Sequence, residues 1–276
     1  MMHLFHHVSQ RCSQATAETY STSFAAAIRL LHKDLRGPVH SIYGFVRFAD
    51  EIVDTFHQWD KEDLLNRFEA DTWKAISEGI SLNPILHSFQ HCVNHYGIDH
   101  ALIRAFFHSM RMDLSRSRHE QHTYEEYIYG SAEVVGLMCL VVFCEGDQER
   151  YLALKPYAQS LGAAFQKVNF LRDMKADHQQ LQRIYFPGIN LRNWDEYSKQ
   201  EIEKDILVDF EQAYKGIRLL PLKARFGVFV AYRYYLSLFR KIRRSTPAAI
   251  LEKRIRIPNY HKLMIMVGAR FSRVLQ

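Results

Sequence analysis

Along almost the whole chain apolar residues recur every three or four positions, a spacing that belongs to helices. It runs through 14–31, 37–56, 61–79, 84–96, 101–114 and 123–143, then through about 148–178, 195–217, 221–244 and 260–274. Only 12 glycines and 7 prolines interrupt 276 residues. They cluster where helices should end: Gly37-Pro38, Gly79 to Pro84, Gly97 to Asp99, Gly146-Asp147, Pro187-Gly188 and Pro247. Pro38 is read as sitting just inside a helix start, where an N–H lacks an intrahelical acceptor anyway. No alternating strand series and no Gly-Ser linker is present. The pattern predicts one all-α domain, 1–276, of roughly ten helices.

Such a length can bury a sizeable core. The opening residues, MMHLFHHVSQRCSQ, lack the apolar stretch of a signal peptide. The longest apolar run, 134–144, is too short to span a bilayer as a helix. The expected setting is therefore cytoplasmic. Cys12, Cys92, Cys139 and Cys144 form neither a CxxC pair nor a zinc spacing, so reduced and mostly buried thiols are expected.

The formal charge of +6 is unevenly spread. Residues 215–276 hold 15 Lys and Arg against one acid, Glu252, while the rest of the chain is net acidic. Such a basic C-terminal segment suits anionic lipid, a polyphosphate or nucleic acid, or is a solvated helix face. Arg240, Lys241, Arg243 and Arg244 form its densest cluster.

Two stretches carry the chemistry. In FADEIVDTF (48–56), Asp50 and Asp54 are four apart and share one helix face, with Glu51 pointing aside. Extended backward, that face reads Tyr43, Arg47, Asp50, Asp54. In AFQKVNFLRDMKAD (164–177) the same geometry recurs as Gln166, Asn169, Asp173, Asp177. A single DxxxD is usually a solvated face; two polar stripes ending in carboxylate pairs inside oily helices are not. Four carboxylates around one cavity raise one another's pKa and need cations. Carboxylate oxygens suit Mg²⁺, which bridges readily to substrate phosphates, and Arg47 and Arg172 suit phosphate oxygens. A di-iron bundle would need two ExxH motifs, and neither pair has one. GxxxxGK, GxSxG and GxGxxG are all absent.

These residues, in this order, resemble the head-to-head prenyl synthases, the squalene and phytoene synthases. YSTSF (20–24) resembles that family's N-terminal serine motif, and SIYGFVRFADEIVD (41–54) its first aspartate-rich segment. YIYGSAEVVG (127–136) resembles its central small-residue segment, with Glu133 where glycine is usual. LGAAFQKVNFLRDMKAD (161–177) followed by RIYFP (183–187) is the most specific match.

The resemblance implies an isoprenoid-synthase fold with a central cavity for two allylic diphosphates, bridged to the protein by several Mg²⁺ ions. Asp50, Asp54, Asp173 and Asp177 would be metal ligands, assisted by Asn169. Ser21, Ser23, Arg47, Arg172, Arg183 and Tyr185 would contact diphosphate. Phe24, Tyr43, Gln166 and Tyr129 would line the chamber, with Tyr129 or the released diphosphate as proton acceptor. Glu133 is expected to point away from the chamber. RIYFP and EKRIRIPNYHKLMI (252–265) are most like bacterial phytoene synthases, which implies 15-cis-phytoene from two geranylgeranyl diphosphates without a nicotinamide. The alternatives are a squalene or dehydrosqualene synthase using farnesyl diphosphate, and a non-catalytic lipid-binding member. A monomer is expected, without a nucleic-acid partner and with possible peripheral contact with the inner face of an anionic membrane.

Overall fold

The computed structural model describes residues 1–115, 120–180, 185–188, 194–270 and 272, without the side chains of 176–180. Among them every regular element is helical. In chain order these are α1 (Met2–Tyr20), α2 (Thr22–Arg29), α3 (Lys33–Asp54), α4 (Lys61–Glu78), α5 (Pro84–Tyr96), α6 (His100–Ser115) and α7 (Gln121–Ile128). A π-helical segment (Tyr129–Glu133) leads into α8 (Val134–Cys144), α9 (Gln148–Gln180), α10 (Glu196–Leu219), α11 (Leu222–Arg243), α12 (Pro247–Glu252) and α13 (Asn259–Arg270).

The breaks follow local chemistry. Asp60, Asn83, Asp195 and Thr246 each accept a backbone N–H of the first turn that follows, the usual work of a helix N-cap. Gly79 and Gly97 end α4 and α5 at φ 69° and 65°, in the left-handed region.

Three expectations need correction. The first helix begins at Met2, and the stretch read as 14–31 is cut at Ser21. That residue leaves helical geometry (φ −145°, ψ 102°) and accepts the Phe24 N–H at 3.2 Å, so it caps α2. The next helix starts at Lys33, which places Pro38 in its second turn, where it forgoes an i→i−4 hydrogen bond. The stretch read as 123–143 is not uniformly α-helical, because the π segment intervenes.

The core is continuous through the helices. Phe45 of α3 stacks on Phe89 of α5 with centroids 3.8 Å apart, and Phe106 and Phe107 of α6 close around it. Gln121–Cys144 run unbroken and are long and apolar enough to cross a bilayer by length and composition; more than half of that stretch is buried within the protein. Val134, Leu137 and Met138 are fully enclosed, so this is the core rod. Its small residues let backbones approach. A Cβ on Gly130 would lie 2.5 Å from the Ala105 carbonyl of α6, and one on Gly162 of α9 would lie 2.8 Å from the Ala132 carbonyl. Lys167 of α9 ties down α10 through Asp205 at 2.5 Å and Asp209 at 2.7 Å. All four cysteines are free.

Candidate active site

The two carboxylate stripes lie on α3 and α9, and aromatic rings join them. Phe24 of α2 packs against Tyr43 of α3 (6.1 Å), Phe165 of α9 (6.1 Å) and Tyr235 of α11 (5.7 Å). Tyr235 stacks on Phe165 at 3.9 Å. Its hydroxyl donates to Asn169 Oδ1 at 3.2 Å, and its phenol lies in the fields of Arg172 and Asp173. Tyr43 in turn lies in the fields of Arg47, Asp50 and Tyr235 and meets the Ser21 hydroxyl. One aromatic wall therefore runs from the first stripe to the second.

On α3, burial and the neighbouring Asp54 push the Asp50 carboxyl up to about 8, with Arg47 opposing and Asp113 adding to the rise. Arg47 pairs with Glu51 one turn on and covers the Tyr20 ring at 4.3 Å. Glu51 is thus half-buried and engaged with Arg47. The Arg47 Nε is buried without a protein acceptor, a donor left over for an anion.

On α9, a polar chain runs from Ser131 of the π segment to Gln166 (3.3 Å) and on to Asn169 (3.4 Å). Arg172 holds Asp173 through two hydrogen bonds, Nε at 3.0 Å and Nη2 at 2.5 Å. Arg254, from the segment before α13, approaches the same carboxylate at 2.6 Å. Ser23 stands half-buried in the first turn of α2. The side chain of Asp177 and all of Arg183 lie outside the described residues.

Tyr129 is half-buried, in the fields of Glu133 and Asp99, with Tyr151 nearby. The tyrosine that serves the acids is Tyr127, two residues earlier and so on the other side of the helix. It is buried and donates to Asp113 Oδ2 at 2.7 Å. Tyr185 gives its hydroxyl to Asp113 Oδ1 at 3.3 Å while its ring stacks on Phe170 at 4.0 Å. Glu133 is turned to Gln159, which donates to it at 2.8 Å.

Four residues of this site escaped the sequence reading: Asp113, Tyr127, Tyr235 and Arg254. Asp113 had a signal. With Phe106 and Met110 it occupies i, i+4 and i+7 of the buried face of α6, and an acid in that register is out of place unless it has work to do. Tyr235 and Arg254 had none, because only the tertiary fold brings α11 and the 253–258 segment to α9.

The donor set suits hard cations. Asp50 and Asp54 press anionic charge into a buried setting, and all the oxygens are carboxylate or amide. Among the described residues, no three His, Cys, Asp or Glu side chains converge closely enough to hold a metal by themselves. Mg²⁺ normally takes only one or two carboxylates and fills its remaining positions with water and substrate phosphate, so these stripes fit it as partners of a bound diphosphate.

Residues 17–261 match the family model described as squalene/phytoene synthase. The chain is 27% identical to a phytoene synthase of Arthrospira platensis, covering 96% of this chain and 93% of that protein. It is also 27% identical to a 15-cis-phytoene synthase of Synechococcus elongatus, covering 92% and 89%. Against the chloroplastic phytoene synthase of Daucus carota, at 26% identity, the chain spans 64% of the relative's length. A crystal structure of a dehydrosqualene synthase superimposes with a TM-score of 0.82 at 20% identity over 96% of both chains. A squalene synthase from Alicyclobacillus acidocaldarius gives 0.74 at 18% identity over 86% of this chain and 93% of that one. With the family model matched over most of its length, the chain belongs to the squalene/phytoene synthase family.

Proposed function

We propose that the protein is a magnesium-dependent 15-cis-phytoene synthase that joins two geranylgeranyl diphosphates head to head through a cyclopropyl diphosphate. The observation that carries this is the pair of acid stripes joined by one aromatic wall, in a chain that aligns almost end to end with bacterial phytoene synthases.

Asp50, Asp54 and Asp173, with Asp177 by position, would hold Mg²⁺, assisted by Asn169. When bound, the metal neutralises the diphosphate and makes it a competent leaving group. Arg47, with its spare buried Nε, and Arg172 receive phosphate oxygens. Ser21 and Ser23 sit at the entrance to α2, whose first-turn N–H groups favour negative charge. Phe24, Phe165 and Tyr235 keep water from the allylic cation and offer it π-faces. The second substrate's double bond attacks that cation, and a proton is lost as the cyclopropane closes. Burial holds the Tyr43 phenol up to about 12, so Tyr43 stays protonated. The released diphosphate takes the proton. A second ionisation, which releases the remaining diphosphate, and rearrangement give a 1-1' linked allylic cation; transfer of a proton from that cation to diphosphate gives the hydrocarbon, with no hydride from a nicotinamide.

The enzyme is read as a cytoplasmic monomer that acts on prenyl diphosphates, binds no nucleic acid and touches the inner face of an anionic membrane peripherally. A second reading, a squalene or dehydrosqualene synthase using farnesyl diphosphate, draws on the overlap with a dehydrosqualene synthase. Incubation with Mg²⁺ and each diphosphate, with and without NADPH, separates the two. Phytoene without NADPH supports the first; a farnesyl-derived C30 product with no phytoene supports the second. No product from either would return the chain to a lipid-binding role.

A further inference from the structure

α13 is inside out. Its Tyr260, Leu263, Met264 and Val267 fall at i, i+3, i+4 and i+7, the register of one helix face, and they are 68%, 57%, 58% and 54% exposed. The face packed on the protein is the slender one, with Ile265 7% and Ala269 0% exposed. A continuous apolar stripe turned to solvent is not the cost-free scatter of single surface hydrophobes.

The surroundings of the stripe indicate what would cover it. Residues 253–270 contain five bases, Lys253, Arg254, Arg256, Lys262 and Arg270, and no acid. An apolar helix face flanked by bases is the composition of a helix that lies in a membrane interface. The cluster at the end of α11 is a weaker candidate. Arg243 is bound to Glu203 and Lys241 to the Arg256 carbonyl, and the 530 Å³ cavity beside them is also lined by Glu196 and Glu203.

α13 is tied to the active site. Lys262 donates to the Thr22 hydroxyl at 2.7 Å, one residue from Ser21, and the preceding segment delivers Arg254 to Asp173. We propose that α13 is a membrane-docking helix that lays Tyr260, Leu263, Met264 and Val267 into the surface of an anionic bilayer. Lys253, Arg256 and Arg270 serve its headgroups. The purpose of docking, to deliver a water-insoluble hydrocarbon, rests on the function proposed above; the binding itself does not.

The test is co-sedimentation of the full chain with sucrose-loaded vesicles of phosphatidylcholine, with and without phosphatidylglycerol, at low and high salt and without substrate. The wild type should bind anionic vesicles at least tenfold more tightly than neutral ones, and salt should weaken the binding. Leu263→Ser, Met264→Ser and Val267→Ser together should reduce binding at least tenfold with an unchanged circular-dichroism melt. An apolar control (Leu263→Ile, Met264→Leu, Val267→Leu) should retain it. Retained binding by the serine variant would overturn the proposal, as would no binding by the wild type. So would a wild-type dimer that the serine variant dissociates, since a second copy would then own the stripe. Turnover in detergent should be unaffected by the serine changes, which keeps a failed docking result separate from a failed assignment of the reaction.

Discussion

Arg254 Nε lies 2.6 Å from Asp173 Oδ1, across 81 residues of sequence. With Arg172 on the same carboxylate, Asp173 is neutralised twice over without a metal. A cation that takes Asp173 must therefore displace a guanidinium. Arg254→Gln should lower the Mg²⁺ concentration needed for half-maximal binding of a non-hydrolysable diphosphate analogue by several-fold, measured by calorimetry. A raised requirement would mean that Arg254 serves the diphosphate more than it competes with the metal.

Asp50 should show opposite signs in stability and activity. Its folded-state pKa is raised, so the stability tied to its protonated form is present at low pH and is lost as pH rises through about 8. Asp50→Asn removes that penalty. The metal-free variant should melt higher than the wild type at about pH 8.5, with the difference shrinking as pH falls. Turnover should fall at least about a hundredfold, as it should for Asp54→Asn and Asp173→Asn, because metal-based stabilisation of the leaving group is worth several kcal/mol. Near-normal turnover at saturating Mg²⁺ in any of the three would end the clamp reading.

Tyr127 and Tyr129 offer a paired comparison. Tyr127→Phe removes a 2.7 Å hydrogen bond to the buried Asp113 and should cost about 1–3 kcal/mol in urea unfolding, along with turnover. Tyr129→Phe removes a hydroxyl with no part in the Asp113 hydrogen bonds and should change both by little. The reverse order would make Tyr129, and not Tyr127, the tyrosine on which turnover depends.

His40 sets an acid limit on stability. It is buried in α3, and burial pulls its pKa down to about 4, with Glu18 opposing and Arg29 and Arg36 assisting. The folded value lies below the ordinary 6.5, so stability is full above that pH and drains away as pH falls toward about 4. The expected loss is at most about 3 kcal/mol. Urea midpoints at about pH 7.5 and 4.5 should differ less in His40→Asn than in the wild type; equal slopes would contradict the assignment.

The helices and the acid stripes were legible because each depends on spacing within a few residues. Asp50 and Asp54 share a face by helix geometry alone, and Gly79, Asn83 and Gly97 end helices through their own backbone and side-chain chemistry. Ser21 was legible as a motif residue but not as the cap that divides α1 from α2, since Thr19, Thr22 and Ser23 around it offer equally good caps. Tyr129 was assigned from a motif in which two tyrosines stand two apart. Only the packing of the core rod against α6 decides which of them meets Asp113. Tyr235 and Arg254 depend on α11 and the C-terminal segment returning to α9, which no local pattern encodes.

The π segment sets a rule about length. Tyr129–Glu133 carry more than one α-helical turn's share of residues, so Tyr127 before them and Val134 after them keep faces that a plain α-helix would not grant together. Removing one residue there would restore ordinary winding and leave the faces on either side in phase, because the π turn is what absorbs a single extra residue. Val134, Leu137 and Met138 would stay in the core and Gly136 against the Ala158 carbonyl, whereas a deletion within α8 itself would turn the residues beyond it by about 100°. The π segment is therefore where the core rod can lose one residue without turning its buried face away, while Gly130, whose Cβ would strike the Ala105 carbonyl, has to stay glycine.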